Sequence, residues 1–456
     1  MLERFFHLKE HKTSVKTEIM AGVTTFMTMA YILAVNPNLL SASGMDKTAV
    51  FIATCLASAL GSILMAILAN YPIALAPGMG LNAYFAFTVC GSMGISWKVA
   101  LMAIFLEGII FVLLTLTNIR EAIFNSIPTS LKHGVSAGIG LFIAFIGLQG
   151  ANIVVANSST LITYQHFRED FHSVGIGAIL ALIGIVITGV LMAKNVKGAI
   201  LLGILATWIL GIVCEITGIY IPNADAGMYS VIPSWYWTDF TSIGATFGEL
   251  FKANFTGVSI VNFIIVVFAF LFVDLFDTLG ALIGVATKAN LLDEKGRLPK
   301  IKGALLADSI ATTAGAIFGT STTTTYVEST TGVVAGGRTG LTAVTTGLLF
   351  VVAIVFAPIF LTIPSFATAP ALVMVGFFMM SSILEIDFND ITEAIPAYLA
   401  IIGMPFTYSI SEGIAIGFIS YTIINLACGK AKEKKISVLM YVLTILFICK
   451  YIFAST

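Results

Sequence analysis

The feature that most constrains this chain is a succession of apolar runs, each near the length that crosses a bilayer. A helix needs roughly 20 apolar residues to span the hydrocarbon. Such runs lie at about 17–38, 48–70, 97–117, 131–150, 173–193 and 199–219, then at 257–287, 303–317, 340–359, 364–384, 394–407 and 410–428, with one more at 436–453. Hydrophobic residues make up 58% of the chain and charged ones only 10%, where a soluble domain carries about a quarter. The chain lacks the polar residues to cover a water-facing surface, so the lipid bilayer is its solvent. The runs do not alternate as barrel strands do, and helices satisfy their own backbone groups in lipid. The fold class is therefore an all-α polytopic membrane protein.

Several functions are excluded by what is missing. A net charge of −1 with no basic block offers nothing to a nucleic-acid backbone. Five scattered cysteines form no CxxC pair, so neither a zinc site nor a disulfide framework is indicated. The histidines His7, His11, His133, His166 and His172 show no metal-ligand spacing. No GxxxxGK[ST] motif supplies ATP chemistry. No cofactor is expected. The N-terminal stretch is charged for too long to be a cleaved signal, so 1–16 reads as a cytoplasmic tail and the first run as the insertion signal.

Two short segments, 74–87 and 318–335, are too polar or too rich in glycine to be simple spans. If each counts as one crossing and the N-terminus lies inside, all the basic clusters fall on one side. These are the tail, Arg120 and Lys132, Lys194 and Lys197, the 288–302 connection, Arg338 and "GKAKEKK". The positive-inside rule then supports about fourteen crossings, with 436–453 left as a fifteenth or as a helix along the membrane. The motif Ile-Pro followed by Gly-x-Phe recurs at 127–142 and 363–378, an offset of 236 residues. Only the first copy carries basic residues, Lys132 and His133, so the copies enter from opposite sides. Paired broken segments at matching places mark the binding site of an inverted-repeat transporter.

Carboxylates inside these runs are the candidate chemistry, because an embedded charge is costly unless it is paired, protonated or facing water. Glu328 stands in "TSTTTTYVESTTG", where short hydroxyl side chains leave room for a ligand and a helix restart would aim free N–H groups at it. A glutamate solvated at a helix end is the plainer alternative. Asp274 and Asp277, three apart in "FLFVDLFDTLGALIG", share a helix face and are a candidate proton carrier; bonding to neighbouring backbone is the alternative. Gly280 would let another backbone approach Asp277. In "APGMGLNAYFAF", Asn82 offers a donor and an acceptor, and Phe85 offers a flat face that packing would equally explain. Glu107, Asp308 and Glu412 are also embedded and read as partners within the bundle.

These residues resemble the nucleobase–cation symporters of the uracil/xanthine permease superfamily, most closely the AzgA-like hypoxanthine/guanine/adenine permeases. The resemblance runs from "AGVTTFMTMAYILAVNP" through "APGMGLNAYFAF", "VDLFDTLGALIG" and "TSTTTTYVESTTGVVAGGRTGLTAV" to "EAIPAYLAIIGMPFTYSISEGIAIG". It implies fourteen segments in two inverted repeats of seven, with segments 3 and 10 broken by short extended pieces. It implies a core domain (17–120 and 257–360) and a gate domain (127–219 and 363–428). An extracytoplasmic connection (220–256) and a C-terminal stretch (429–456) complete the chain. Carried over, Glu328 would bond the nucleobase with Tyr326 and Val327 beside it. Asp277 would bind base and couple protons, Phe85 would pack on the base, and Asn82 would be required for purines. The sequence departs from uracil permeases in helix 8, where Asp replaces Glu and Ala281 stands where some relatives have His, which favours the purine branch.

The expected function is proton-coupled import of purine bases across the cell membrane, with H+ as coupling ion, Asp277, Asp274 and Glu328 in the coupling, and the base as substrate. The fold family often dimerises, so a homodimer is among the assemblies implied. An anion or uracil/xanthine transporter of the same fold is the rival reading. A membrane enzyme is the other, and it lacks a nucleophile–base pair or metal ligands.

Overall fold

The computed structural model describes residues 2–117, 120, 123, 126–168, 170–235, 237–289, 291 and 298–453. Among them, 11 helices are long and apolar enough to cross a membrane. A count of fourteen is reached only by adding the two broken segments and the shorter helix Ile391–Phe406. Residues 290 and 292–297 of the basic 288–302 connection lie outside the described residues.

The first apolar run is two helices, α1 (Val15–Met29) and α2 (Ile32–Ser41), rather than one. They are parted at Ala30 and Tyr31, and Pro37 lies inside α2. Proline has no N–H and its ring crowds the carbonyl four residues back, so the turn before it is weakened. Then come α3 (Lys47–Leu68), β1 (Leu75–Pro77), α4 (Met79–Ala83) and a π-helical continuation over Tyr84–Ser92. Helices α5 (Trp97–Leu116) and α6 (Thr129–Gly150) follow. A hairpin that the apolar pattern does not show, β2 (Val154–Asn157) with β3 (Leu161–Tyr164), leads to α7 (Ile176–Ala193) and α8 (Ala199–Ile216).

The second half repeats the order with α9 (Ile260–Lys288), α10 (Ile301–Phe318), β4 (Thr323–Thr325), α11 (Ser329–Val334) and α12 (Gly340–Ala353). After it stand α13 (Ser365–Met380), α14 (Ile391–Phe406), α15 (Ile410–Ala427) and α16 (Val438–Phe453).

The inverted repeat is visible where equivalent residues meet. β1 and β4 pair antiparallel, with Ala76 opposite Thr324 at the centre. The glycines of the repeated Gly-x-Phe motif, Gly140 in α6 and Gly376 in α13, face one another: a Cβ on either would collide with the other's carbonyl oxygen. Glycine allows this approach because no side chain keeps the backbones apart.

Helices pack mostly within two groups. One holds α12 against α1 and α3, with α10 against α3 and α5. The other holds α6 against α13 and α14, α14 against α15, and α7 and α8 against α13.

Two connections explain charges that the apolar pattern leaves unplaced. Glu18, fully buried in α1, accepts from the backbone N–H of Arg338 (2.9 Å) and Thr339 (3.2 Å) and from the Thr342 hydroxyl (2.6 Å). Its carboxylate so caps the start of α12, where the helix dipole favours negative charge. In the "GKAKEKK" loop, Lys434 bonds Asp390 and lies 3.1 Å from Glu393. Its hydrogen bond, with that of Thr392, holds the Asp390 carboxyl down to about 2.

The run left open at the C-terminus also finds its place. Thr422 bonds Thr444 at 2.8 Å, Phe418 meets Phe447 at 6.0 Å, and Tyr451 donates to Glu412. These pairs descend in step, so α16 stands antiparallel to α15 in the bundle rather than lying across its end.

Candidate functional site

The two broken segments cross where the β1–β4 ladder forms. Pro77 ends its strand, and the β-branched threonines 323–325 favour extended backbone. Every strand residue of the ladder is buried. Beyond the ladder Gly78 donates its N–H to the Thr322 carbonyl at 2.9 Å.

Four candidate side chains gather here. The Tyr31 hydroxyl, at the break between α1 and α2, donates to Glu328 Oε1 at 2.7 Å. The Tyr326 hydroxyl donates to the Pro77 carbonyl at 2.6 Å. Tyr31, Tyr326, Glu328 and Asp277 are all within electrostatic reach of one another. Asp277 presses against bare backbone: a Cβ on Gly78 would stand 3.2 Å from its Oδ2 and 3.0 Å from Thr324 Cγ2. Both carboxylates are half-buried, and Val327, next to Glu328, is 49% exposed.

Asn82 is fully buried. Its amide nitrogen reaches the Pro77 carbonyl at 3.4 Å, and its Oδ1 has no hydrogen-bond partner among the described residues. A buried acceptor without a donor is costly. Phe85 is also fully buried, with its ring tilted against Phe270 at 6.5 Å.

Three expectations are corrected. The N–H groups at the start of α11 are not free: Ser329, Thr330 and Thr331 donate to the carbonyls of Tyr326, Val327 and Glu328. No atom of the described residues lies within 4 Å of where a Cβ on Gly280 would stand, so none of the described backbone approaches it. Asp274 does not bond Asp277. It belongs to a buried network within electrostatic reach of Asp277, in which Arg120 reaches Asp274 Oδ2 at 3.2 Å and Asp308 Oδ2 at 2.8 Å. The Thr278 hydroxyl lies 2.8 Å from both aspartates. Arg120 also donates to Ser309 at 3.0 Å and stacks on Phe111 with its guanidinium carbon 3.8 Å from the ring centre. Glu107 accepts from Thr322 at 2.8 Å, which ties this network to the stretch before β4.

Residues 16–416 match the Permease family (Xan_ur_permease). The chain belongs to that family. It is a multi-pass membrane permease, a transporter and not an enzyme. The permease is 43% identical to the adenine permease AdeP of Escherichia coli strain K12, over 99% of this chain and 96% of that one. It is 45% identical to the guanine/hypoxanthine permease PbuG of Bacillus subtilis strain 168, over 99% of this chain and 100% of that one. Among solved structures it shares its fold with the transmembrane domain of the cyanobacterial bicarbonate transporter BicA, at a TM-score of 0.61 and 15% identity over 88% of the permease and 97% of that domain.

Sequence reasoning missed two residues of these networks. Tyr31 lies inside an apolar run and reads as packing, and nothing in its neighbours along the chain marks it otherwise. Arg120 reads as a loop cation, yet it is fully buried. Its signal was the count of embedded acids, since Asp274, Asp308 and Glu107 require a cation within the bundle.

Proposed function

We propose that the permease imports purine nucleobases, namely adenine, guanine or hypoxanthine, by proton symport. The observation that carries this is the pair of half-exposed carboxylates, Glu328 and Asp277, held beside the crossing strands by Tyr31, Thr324 and the bare backbone of Gly78. A purine base is flat, neutral and rich in N–H donors and lone pairs. Carboxylate acceptors and the unpartnered Asn82 oxygen suit its N–H edge, and the exposed Val327 adds apolar surface beside them. Full-length likeness to AdeP and PbuG supports the same substrate class. The bicarbonate carrier's likeness extends to fold alone, and two carboxylates in the site oppose an anion. Glu328, Tyr326, Val327, Asn82 and Phe85 form the binding set in this reading. The group containing β1 and β4 moves against the group built on α6 and α13, in alternating access. The N-terminus and the basic loops face the cytoplasm, in the cell membrane.

The test is uptake of radiolabelled adenine, guanine and hypoxanthine into proteoliposomes, against uracil, xanthine and bicarbonate as competitors. Saturable purine uptake that a protonophore abolishes is expected. Uptake of bicarbonate or uracil in preference overturns the assignment.

Coupling is assigned to Asp277, which touches the site, with Asp274 held apart by Arg120. A carboxyl that must pick up a proton before the base binds is mimicked in its neutral form by the amide. Asp277→Asn is therefore expected to retain purine binding and exchange, and to lose accumulation driven by an inward proton gradient. Undiminished uphill uptake by this variant places the coupling carboxyl elsewhere.

A further inference from the structure

Three buried carboxyls behind the crossing strands share one cation. Asp274 of α9, Asp308 of α10, Glu107 of α5 and Arg120 are each fully buried. One guanidinium nitrogen of Arg120 lies 2.8 Å from Asp308 Oδ2 and 3.2 Å from Asp274 Oδ2. Its charge balances one carboxylate, and a second one beside it would be buried without compensation. Asp277 and Glu107 are the other ionisable groups within electrostatic reach of Asp274, and both are acids. The Glu107 carboxyl takes the Thr322 hydroxyl at 2.8 Å. Helix α3, packed on α10, brings no charge except Lys47, which bonds the Leu361 carbonyl.

Hydrogen counting reaches the same result. Asp274 Oδ1 and Asp308 Oδ1 each lie 2.8 Å from the Thr278 hydroxyl, the ordinary length of an O–H···O bond. A hydroxyl has one hydrogen and two lone pairs. It donates along one contact, and along the other it accepts. That second hydrogen must belong to an aspartate. Ser309 does not supply it: its hydroxyl accepts from Arg120 at 3.0 Å and donates to the Leu305 carbonyl at 2.7 Å.

We propose that this cluster holds one resident proton, on Asp274 Oδ1, which donates to Thr278 while Thr278 donates to ionised Asp308. Asp308 is the ionised partner because Arg120 lies closer to it, and charge-assisted bonds are the shorter ones. The proton is part of the fold and not the cargo, since Asp274, Thr278 and Asp308 are all sealed from solvent. Thr325 of β4 donates to the Thr278 carbonyl at 2.9 Å, which ties the cluster to the crossing strands. Its consequence for transport rests on the coupling proposed above. Asp277 lies one turn from Asp274 on the same face of α9. An ionised Asp274 would oppose the negative charge that Asp277 gains on releasing its proton. A neutral Asp274 leaves Asp277 free to take up and release the coupling proton.

Infrared difference spectroscopy of the purified permease near neutral pH tests this, because a carboxylic acid and a carboxylate absorb in separate bands. Spectra are taken in an Asp277→Asn background, so that the coupling carboxyl does not contribute. Adding Asp274→Asn keeps the shape: the amide N–H donates to Thr278, its oxygen accepts from Arg120, and Asp308 stays ionised beside the guanidinium. This variant should fold. The difference should show loss of one carboxylic-acid band per chain and no loss of carboxylate. Loss of a carboxylate band, with the acid bands intact, overturns the resident proton. If Asp274→Asn does not fold, heavy-carbon labelling of the aspartate carboxyls in the same background decides the question, since the label leaves Glu107 and Glu328 unmarked. An acid band that moves with the label supports the proton, and acid bands that all stay in place overturn it. Neither measurement needs a nucleobase. If the acid band behaves as expected while purines are not transported, the transport assignments fall and the resident proton stands.

Discussion

Glu328→Gln is expected to abolish measurable purine uptake while the protein still folds and inserts. The amide has the same shape, and its oxygen can still accept from Tyr31, which lies 2.7 Å from the carboxylate. What it loses is charge, and with it the stronger hydrogen bonds to the N–H groups of a base. Bonds to a charged group are worth about 1.5–3 kcal/mol, a factor of about 10 to 150 in affinity for each. Two such bonds to one base would carry binding beyond ordinary detection. Calorimetric titration of purified protein with hypoxanthine and adenine, beside uptake in vesicles, measures the loss directly. Tyr31→Phe leaves the carboxylate in place but removes the donor that orients it, so a smaller loss of about tenfold is expected. Affinity of Glu328→Gln within about threefold of the parent would remove Glu328 from the site.

Arg120→Met is expected to cost the permease its folded state. Arg120, Asp274 and Asp308 are each fully buried, and Arg120 contacts both aspartates. Removing the cation leaves two adjacent carboxyls without a counter-charge, with Glu107 nearby. Breaking one side of a buried pair costs about 3–5 kcal/mol, a large share of the 5–15 kcal/mol typical of a folded protein. Thermal unfolding in detergent, followed by size-exclusion, should show a large fall in midpoint and yield. Arg120→Lys should recover little, since an ammonium cannot fork between two carboxylates or stack on Phe111 as a guanidinium does. Arg120→Met together with Asp308→Asn removes charge on both sides and should recover part of the loss. A single Arg120→Met variant as stable as the parent would show that the network contributes nothing to stability.

These two predictions differ in how much of their basis could be read from the chain. Glu328 was legible because its neighbours are hydroxyls and glycines, which serve neither lipid nor a close-packed core. Asp277 was legible for a related reason: a charge in an apolar helix must face inward. The broken segments were legible as interruptions of the apolar pattern, and the inverted repeat as a motif at constant offset. Tyr31 was not legible, because a tyrosine in a lipid-crossing helix more often packs. Nothing local distinguishes one that reaches a residue 297 positions away.

The sequence by itself determined the solvent, the helical class, the order of the segments and the acids embedded within the apolar runs, though not the buried Arg120 or Glu18. Each of these depends on hydrophobicity summed over neighbours along the chain, and lipid leaves the backbone no alternative to helices at those lengths. Partners were decided only by the tertiary structure. Asp274 shares a helix face with Asp277, yet α10 and Arg120 draw it into a second network. Asp277 is left against Gly78 and Thr324. Helical spacing says which side chains point the same way; it cannot say what stands opposite. A buried carboxylate takes whichever cation or donor the packing brings within about 3 Å, and those partners come from segments far apart in sequence. Whether an acid binds substrate or holds the bundle together was therefore a question for the packed helices alone.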